Sequence, residues 1–213
     1  MKRCLCLVIL LGLAGCVTPP EPTDLSAFEA AAPRSILVVP VVNNSLDVDA
    51  PNYLLTTLPK PLAEKGYYVF PVHTVKFVLE QEGYYEGEQI HQQPPEVLAN
   101  MFGADAVLYV TIERWDAQYA VVSTTVTVAF DYRMVAKDGA EIWTATQAMT
   151  YSPSSSNSSG NPLADLVAAA ITAAVTRAAP NYLPLARQAN EQAFVSGHSA
   201  IPDGPYKGVD VRR

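Results

Sequence analysis

Cysteine is scarce in this 213-residue chain, and its few copies are confined to one end. All three, Cys4, Cys6 and Cys16, lie within the first 16 residues. No cysteine is therefore available farther along for a disulfide, a cysteine zinc site or a thiol nucleophile. The composition, 49% hydrophobic and 16% charged, nonetheless describes a globular protein with a substantial core.

Positive charge is also in short supply, with 14 Lys and Arg against 21 Asp and Glu and a net charge of −7. Proteins that bind nucleic acid cluster basic residues to displace counterions from the phosphates. A polybasic patch on an anionic lipid surface needs a similar cluster. The charge balance therefore argues against both kinds of partner.

Catalytic motifs are missing as well. The sequence contains no G-x-S-x-G elbow, no phosphate-binding loop and no dinucleotide fingerprint. The histidines, His73, His91 and His198, lack the short spacing of a zinc site, so each is interpreted as a surface or core residue. The serines at 154–156 lie in a Ser-rich stretch that is expected to form a flexible loop, which would not hold a nucleophile in place. We predict a non-enzymatic protein without catalytic residues, metal or cofactor.

The chain opens with an apolar run that is too short to span a bilayer. Lys2 and Arg3 precede the run Cys4–Val17, whereas a spanning helix needs about 20 apolar residues. The run contains Leu13-Ala14-Gly15-Cys16, which resembles the bacterial lipobox: a leucine, two small residues and a cysteine whose thiol is alkylated. We predict a signal peptide over residues 1–15 and lipidation, including palmitate, at Cys16.

Lipid on Cys16 would anchor the mature protein to a membrane. Each buried acyl CH₂ contributes about 0.8 kcal/mol, and stable anchoring takes two or more chains. Val17, rather than an aspartate, follows the cysteine, which favours the outer membrane of a Gram-negative bacterium. Residues 16–33 are rich in proline and are expected to form a semi-rigid tether. We expect the domain that follows to face the periplasm.

Strand and helix patterns alternate in the first half of the domain. Apolar, β-branched runs predict strands buried on both faces at Ser35–Val42 and Asp105–Glu113, and a further short strand is predicted at Tyr67–Val72. Helical patterns lie between them, whereas the stretch from Gly83 to Gln93 is polar and expected to be irregular. Alternation of this kind implies right-handed crossovers and a parallel sheet.

The second half begins with an antiparallel pattern. Apolar residues take the even positions of Thr124–Lys137, a period of two that predicts a half-exposed strand. Asp138-Gly139 is a hairpin signal, so Glu141–Tyr151 is expected to return antiparallel. An Ala-rich helix opening at Asn161 is expected to pack on the sheet.

We therefore predict one α/β domain over residues 34–195. Its mixed sheet has about five strands, parallel in the first part and an antiparallel hairpin in the second, with helices packed on the faces. A Pro/Gly-rich tail over residues 196–213 is expected to wrap the surface.

Four stretches together resemble a family of outer-membrane lipoproteins of unknown function, whose best-known members are neisserial antigens found by genome mining. They are ILVVPVVNNS, PLAEKGYYVFPV, GADAVLYVTI and PDGPY, at Ile36–Ser45, Pro61–Val72, Gly103–Ile112 and Pro202–Tyr206. More distantly, the chain is similar to the group containing the TolB amino-terminal domain and the periplasmic domain of CsgG. That resemblance implies an α/β sandwich with a mixed sheet and supplies no catalytic residue.

Two places are candidates for protein docking. Tyr84 and Tyr85 lie in an acidic loop with Glu80, Glu82, Glu86 and Glu88, and would be anchors if the loop is more than a solvated connection. Trp115 and Tyr119 would form a second aromatic patch, although core packing is the favoured interpretation for them.

We expect an accessory subunit that docks on envelope proteins of a secretion, transport or cell-wall assembly. One alternative is a structural homo-oligomer or pore component resembling CsgG. A less favoured one is an envelope hydrolase that uses the loop carboxylates.

Overall fold

The computed structural model describes residues 23–120, 123–151 and 182–208. The helices in this part of the chain are α1 Ser26–Ala31, α2 Ala50–Leu55, α3 Pro59–Glu64, α4 Val72–Gln81, α5 Gly87–His91, α6 Pro95–Phe102 and α7 Leu183–Glu191, which continues as the π-helical turn Gln192–Ser196. The strands are β1 Ser35–Val38, β2 Val42–Asn43, β3 Tyr68–Val69, β4 Ala106–Ala120, β5 Ser123–Ala136 and β6 Glu141–Tyr151.

The strands form one mixed sheet in the order β3-β1-β4-β5-β6, with β2 also paired to β4. The pairs of β1 with β3 and β4, and of β2 with β4, are parallel. The β4–β5 and β5–β6 pairs are antiparallel. The predicted α/β class, with a parallel first part and an antiparallel second part, is confirmed.

Pro40 divides the first predicted strand into β1 and β2. Proline has no N–H to give to the ladder, so it interrupts the pairing of a central strand. Pairing resumes at Val42, which lies opposite Thr111 of β4. The sheet thereby gains a sixth strand, and the carboxyl end of β2 carries the chain directly into a polar turn.

Strand β4 is longer than predicted because a bulge at Glu113 disturbs its pattern. The register against β5 shifts between Ile112 and Arg114. Before the bulge the even residues face one core, and after it Trp115 faces that same core. One extra residue exchanges odd for even positions, which is the effect of a β-bulge on a period of two. The alternation therefore breaks at Glu113, although the strand runs on to Ala120.

Helices cover both faces of the sheet. One core lies between the sheet and helices α1, α2, α3 and α7, with Leu108, Phe130 and Phe194 buried in it. A second core lies under α4, α5 and α6 and contains Leu79 and Tyr109. The sheet is the middle layer, and its parallel half is apolar on both sides, as predicted for strands buried on both faces.

Both ends of the described chain pack into the domain. Phe28 of α1 is 2% exposed and meets the ring of Tyr67 edge-on, so the folded part begins before the predicted boundary at residue 34. Beyond the π-helical turn, the Trp143 indole donates to the carbonyl of Ser199 at 2.6 Å, and Ile201 is buried. The tail as far as Ile201 is therefore packed into the fold, and Pro202–Tyr206 lie on the surface, where the amides of Gly204 and Tyr206 donate to the carbonyls of Lys65 and Gly66.

Some expectations fall outside the described residues. They concern the signal peptide, Cys16, the Ser-rich loop and the Ala-rich helix at Asn161. Within the described ranges, no helix is long and apolar enough to cross a membrane.

Candidate functional site

A groove opens at the carboxyl ends of β1 and β2. Its volume is about 360 Å³, at the small end of the range for ligand sites. The crevice outside the carboxyl ends of parallel strands is the usual binding place in open α/β sheets. The apolar part of its lining comes from Pro40, Val41, Val48, Pro51, Leu55 and Tyr85.

One wall of the groove is the turn that follows β2, and hydrogen bonds hold it rigid. The Asn43 Oδ1 accepts from the Ser45 hydroxyl at 2.7 Å and from the Ser45 amide at 3.1 Å. The Asn43 Nδ2 donates to the carbonyl of Asp47 at 2.9 Å. The turn carries Leu46 and Val48, whose exposed fractions are 101% and 83%. Two apolar side chains are thus presented to solvent on a fixed backbone.

The opposite wall is the connection between α4 and α5. Tyr85 lies there with 69% of its surface exposed. Gly87, the first residue of α5, packs against the backbone of β2, where a Cβ would lie 2.5 Å from the carbonyl oxygen of Val41. Only glycine permits this approach, which brings Tyr85 to the edge of the groove.

His91 fixes the far end of α5. Its Nε2 lies 3.0 Å from the carbonyl oxygen of Pro40 and, because a carbonyl only accepts, must donate to it. The ring meets Tyr109 edge-on with 5.0 Å between centroids. Burial lowers the pKa of His91 to about 4, helped by the nearby Arg133 and opposed by the hydrogen bond to Pro40 and by Glu88. The imidazole is therefore neutral at pH 7.

The rim of the groove is acidic. Glu86 and Glu88 line the α5 wall, and Asp47 lies on the opposite turn. Among the lining residues, all of which are described, Lys76 is the single cation. Its Nζ donates to Asn52 at 2.8 Å and lies 4.0 Å from a carboxylate oxygen of Glu80. The groove thus combines exposed apolar groups with a net negative surround.

Comparison with known proteins identifies the family. The family model described as "Putative lipoprotein GNA1162-like" matches residues 23–206. The chain belongs to this family. The resemblance seen in the four sequence stretches is confirmed.

Members of the GNA1162-like family from Neisseria support the assignment. A lipoprotein of Neisseria meningitidis serogroup B, NMB1124/NMB1162, is 35% identical over 153 residues, which cover 71% of each chain. The crystal structure of lipoprotein GNA1162 from Neisseria meningitidis is 34% identical with a TM-score of 0.57, over 68% of this chain and 99% of that one. These matches show a lipoprotein family of Gram-negative bacteria and its α/β fold.

A weaker structural likeness is to a PelC dodecamer from Paraburkholderia phytofirmans. That match is 18% identical with a TM-score of 0.42, over 62% of this chain and 78% of PelC. At this level it carries no inference about assembly of the GNA1162-like chain.

The two tyrosines of the acidic loop have different surroundings in this GNA1162-like structure. Tyr85 is exposed at the groove, whereas Tyr84 is half-buried against the second core and its hydroxyl donates to Gln93 Oε1 at 3.4 Å. The predicted docking pair therefore reduces to Tyr85. The expected irregular loop also contains the short helix α5.

The second aromatic pair does not form an exposed patch. Trp115 is 3% exposed and packs 6.1 Å from Phe130 and 5.0 Å from Tyr182, measured between ring centroids. Trp115 therefore belongs to the core, as the favoured interpretation had it, and the alternative of a docking role for this residue is wrong. The backbone of Tyr119 pairs with Thr124, while its side chain and the whole of Cys16 lie outside what the structure describes.

The loop carboxylates are spread along α4 and the groove wall. Glu82, Glu86 and Glu88 are exposed, and Glu80 is partly exposed beside Lys76. Within the described ranges, no group of three or more His, Cys, Asp or Glu residues is arranged to hold a metal ion. His73 and His198 are exposed, and His91 is half-buried at the end of α5, where it bonds to Pro40.

Sequence reasoning missed the turn that carries Leu46 and Val48. The turn-forming residues Asn43-Asn44-Ser45 correctly predicted the end of a strand. The overlooked signal was the alternation in Ser45-Leu46-Asp47-Val48-Asp49, which places apolar residues between polar ones in a turn. Such residues have no core to enter, and here they remain exposed beside the groove.

Proposed function

We propose that this protein is a non-enzymatic, lipid-anchored docking subunit of an assembly in the Gram-negative cell envelope. The lipobox at Leu13-Ala14-Gly15-Cys16 and membership of a lipoprotein family support the anchor. Val17 after the cysteine supports the outer membrane. Lipid on Cys16 would keep the domain at the membrane, facing the periplasm.

The observation that carries the docking role is the groove between two rigid walls. Exposed apolar side chains on a flexible loop lose conformational entropy when they bind. Here hydrogen bonds fix the turn that carries Val48, and Gly87 and His91 fix the wall that carries Tyr85. Fixed aromatic and aliphatic anchors beside a groove are typical of protein-interaction sites.

The position of the groove agrees with attachment at the opposite end of the domain. Helix α1 leads into the amino end of β1, whereas the groove lies at the carboxyl ends of β1 and β2. The residues between Cys16 and α1 would reach about 30 Å if they were extended like polyproline. An anchored domain would therefore present the groove away from the bilayer.

Site-specific photo-crosslinking in the bacterial envelope tests this proposal. A photoreactive amino acid replaces Tyr85 in the full-length, lipidated protein, and a matched variant carries it at Tyr68. Tyr68 is 51% exposed and pairs with Ser35, at the opposite end of the parallel strands. We expect discrete adducts with an envelope protein from position 85 and none from position 68. Absence of any adduct from position 85 would contradict the docking role.

A structural homo-oligomer is the second candidate. Within residues 23–120, 123–151 and 182–208, β4 pairs with β5 beyond Ile112, and no strand of these ranges pairs with its other edge there. Unpaired strand edges are sites of chain-to-chain pairing. Native mass spectrometry of the detergent-extracted lipoprotein would show a ring or higher oligomer, and a monomer or simple dimer would exclude this candidate.

A further inference from the structure

The docking groove has a chemistry that defines its partner more closely. We propose that it binds an extended, positively charged segment of a partner protein, with an apolar side chain of that segment held between Val48 and Tyr85. This inference rests on the proposed docking function and adds the class of ligand.

Charge is the first argument for a cationic ligand. Glu86 and Glu88 line one wall of the groove, and Asp47 belongs to the turn that forms the other wall, next to the lining residue Val48. Lys76 is already engaged by Asn52 and lies beside Glu80. An anionic ligand, such as a phosphate, a nucleic acid or an acidic lipid headgroup, would be repelled by this surround. Complementary potentials favour a segment that carries lysine or arginine.

The apolar lining argues for a peptide rather than a free cation. A bare cation gains little from Pro40, Pro51, Val48 and Tyr85. An apolar side chain gains about 25 cal/mol for each Å² of apolar surface that it removes from water. A segment that places basic side chains on the rim and one apolar side chain inside would use both properties of the groove.

The polar groups of the groove walls favour a ligand segment whose backbone is extended. The Asn52 Oδ1 accepts from Lys76, which leaves the Asn52 Nδ2 available as a donor to a ligand carbonyl. The groove is open to solvent along the turn and the α5 wall. A segment lying along it would alternate side chains between the apolar lining residues and the acidic rim.

Three fluorescent peptides of equal length test the proposal against the full-length lipoprotein in detergent. One places lysines and a leucine in a Gly/Ser frame, the second replaces the lysines by glutamates, and the third replaces the leucine by serine. Fluorescence anisotropy should show the lysine–leucine peptide binding about tenfold or more tightly than either of the others. Its affinity should fall as salt is raised, because exposed charges are screened.

Matched variants locate the binding. Tyr85→Ala, Val48→Ser and Glu86→Lys should each weaken the lysine–leucine peptide by about tenfold. Tyr68→Ala and Glu141→Lys change an exposed tyrosine and an exposed glutamate at the other end of the strands, and should leave the affinity unchanged. Circular dichroism melting should show every variant folded, since the changed side chains are exposed.

The outcomes separate this inference from the docking function. Equal affinity for the lysine–leucine and glutamate–leucine peptides would overturn the proposal of a cationic ligand. Unchanged binding of the lysine–leucine peptide to the groove variants would overturn it as well. If position 85 nevertheless crosslinks to an envelope protein, the docking function stands and only the ligand class fails. Crosslinking of position 85 to a second copy of this chain would overturn the inference in favour of self-association.

Discussion

The Nε2 atom of His91 lies 3.0 Å from the carbonyl oxygen of Pro40. Pro40 interrupts the first strand, and His91 ends the short helix that forms one wall of the groove. This hydrogen bond joins two segments that are about 50 residues apart and holds the end of α5 against Pro40, a residue that lines the proposed docking groove. The histidine that holds α5 in place is neutral at physiological pH, because burial lowers its pKa.

The lowered pKa of His91 predicts how the stability of the folded protein varies with pH. The pKa of His91 is about 4 in the folded protein and 6.5 for an unperturbed histidine, so the folded form binds fewer protons between these limits. This contribution to stability is complete above pH 6.5 and is lost as the pH falls towards 4. We expect a loss of about 3 kcal/mol in the free energy of unfolding across that window.

The variant His91→Gln tests this origin by urea denaturation at several pH values. Glutamine keeps a donor for Pro40 and does not titrate, so the pH dependence between 6.5 and 4 should be much flatter. The exposed His73→Gln should retain the wild-type dependence. Identical profiles for His91→Gln and wild type would show that another group causes the acid sensitivity.

A buried chain of hydrogen bonds predicts a large effect from Asn190. The Tyr132 hydroxyl donates to Asn190 Oδ1 at 2.7 Å, and Asn190 Nδ2 donates to Thr57 Oγ1 at 2.8 Å. Asn190→Leu would leave both hydroxyls without this partner in the core, which should cost about 2–3 kcal/mol of unfolding free energy.

The control for Asn190 is an exposed asparagine with a comparable bond. Asn44 donates to Glu113 at 3.0 Å on the surface, so Asn44→Ala should change stability by less than about 0.5 kcal/mol. Adding Tyr132→Phe to Asn190→Leu should recover part of the loss, because one unpaired group is removed. Equal destabilisation by the two asparagine variants would contradict the network.

The close packing of Gly87 predicts that the placement of the α5 wall affects binding at the groove. A Cβ at this position would lie 2.5 Å from the carbonyl oxygen of Val41, so Gly87→Ala should displace α5 from β2. We expect a loss of about 1–3 kcal/mol in stability and weaker binding at the groove. Gly83→Asn is the control, because Gly83 has open space around it and asparagine tolerates its φ of +88°. A fully stable Gly87→Ala protein would refute this close packing.

The sheet was predictable because its signals are local. The β-branched run at β1 and the alternation in β5 each identify a strand without any knowledge of its neighbours. Asp138-Gly139 likewise fixes the hairpin, and Gly139 has the expected positive φ of 88°. The bulge at Glu113 was not predictable, because it appears in the sequence only as a break in alternation.

The groove could not be read from the sequence because it is made by long-range packing. The turn after β2 and the wall carrying Tyr85 are about 40 residues apart and meet only when α5 packs on β2. Tyr84 and Tyr85 are the same residue type, so the sequence does not distinguish them. The backbone conformation decides which of the two side chains enters the core. The burial of Trp115 likewise depends on a feature that the sequence does not reveal, because the bulge before it turns its ring inward.

The most direct test of the account is the recovery of the native envelope partner with a groove-disabled lipoprotein. The double variant Val48→Ser/Tyr85→Ala should fold and be anchored like the wild type, because both side chains are exposed. Quantitative affinity purification after crosslinking should recover at least about tenfold less partner than with wild type or with Tyr68→Ala. Undiminished recovery of the same partner by the double variant would contradict the groove as the docking site.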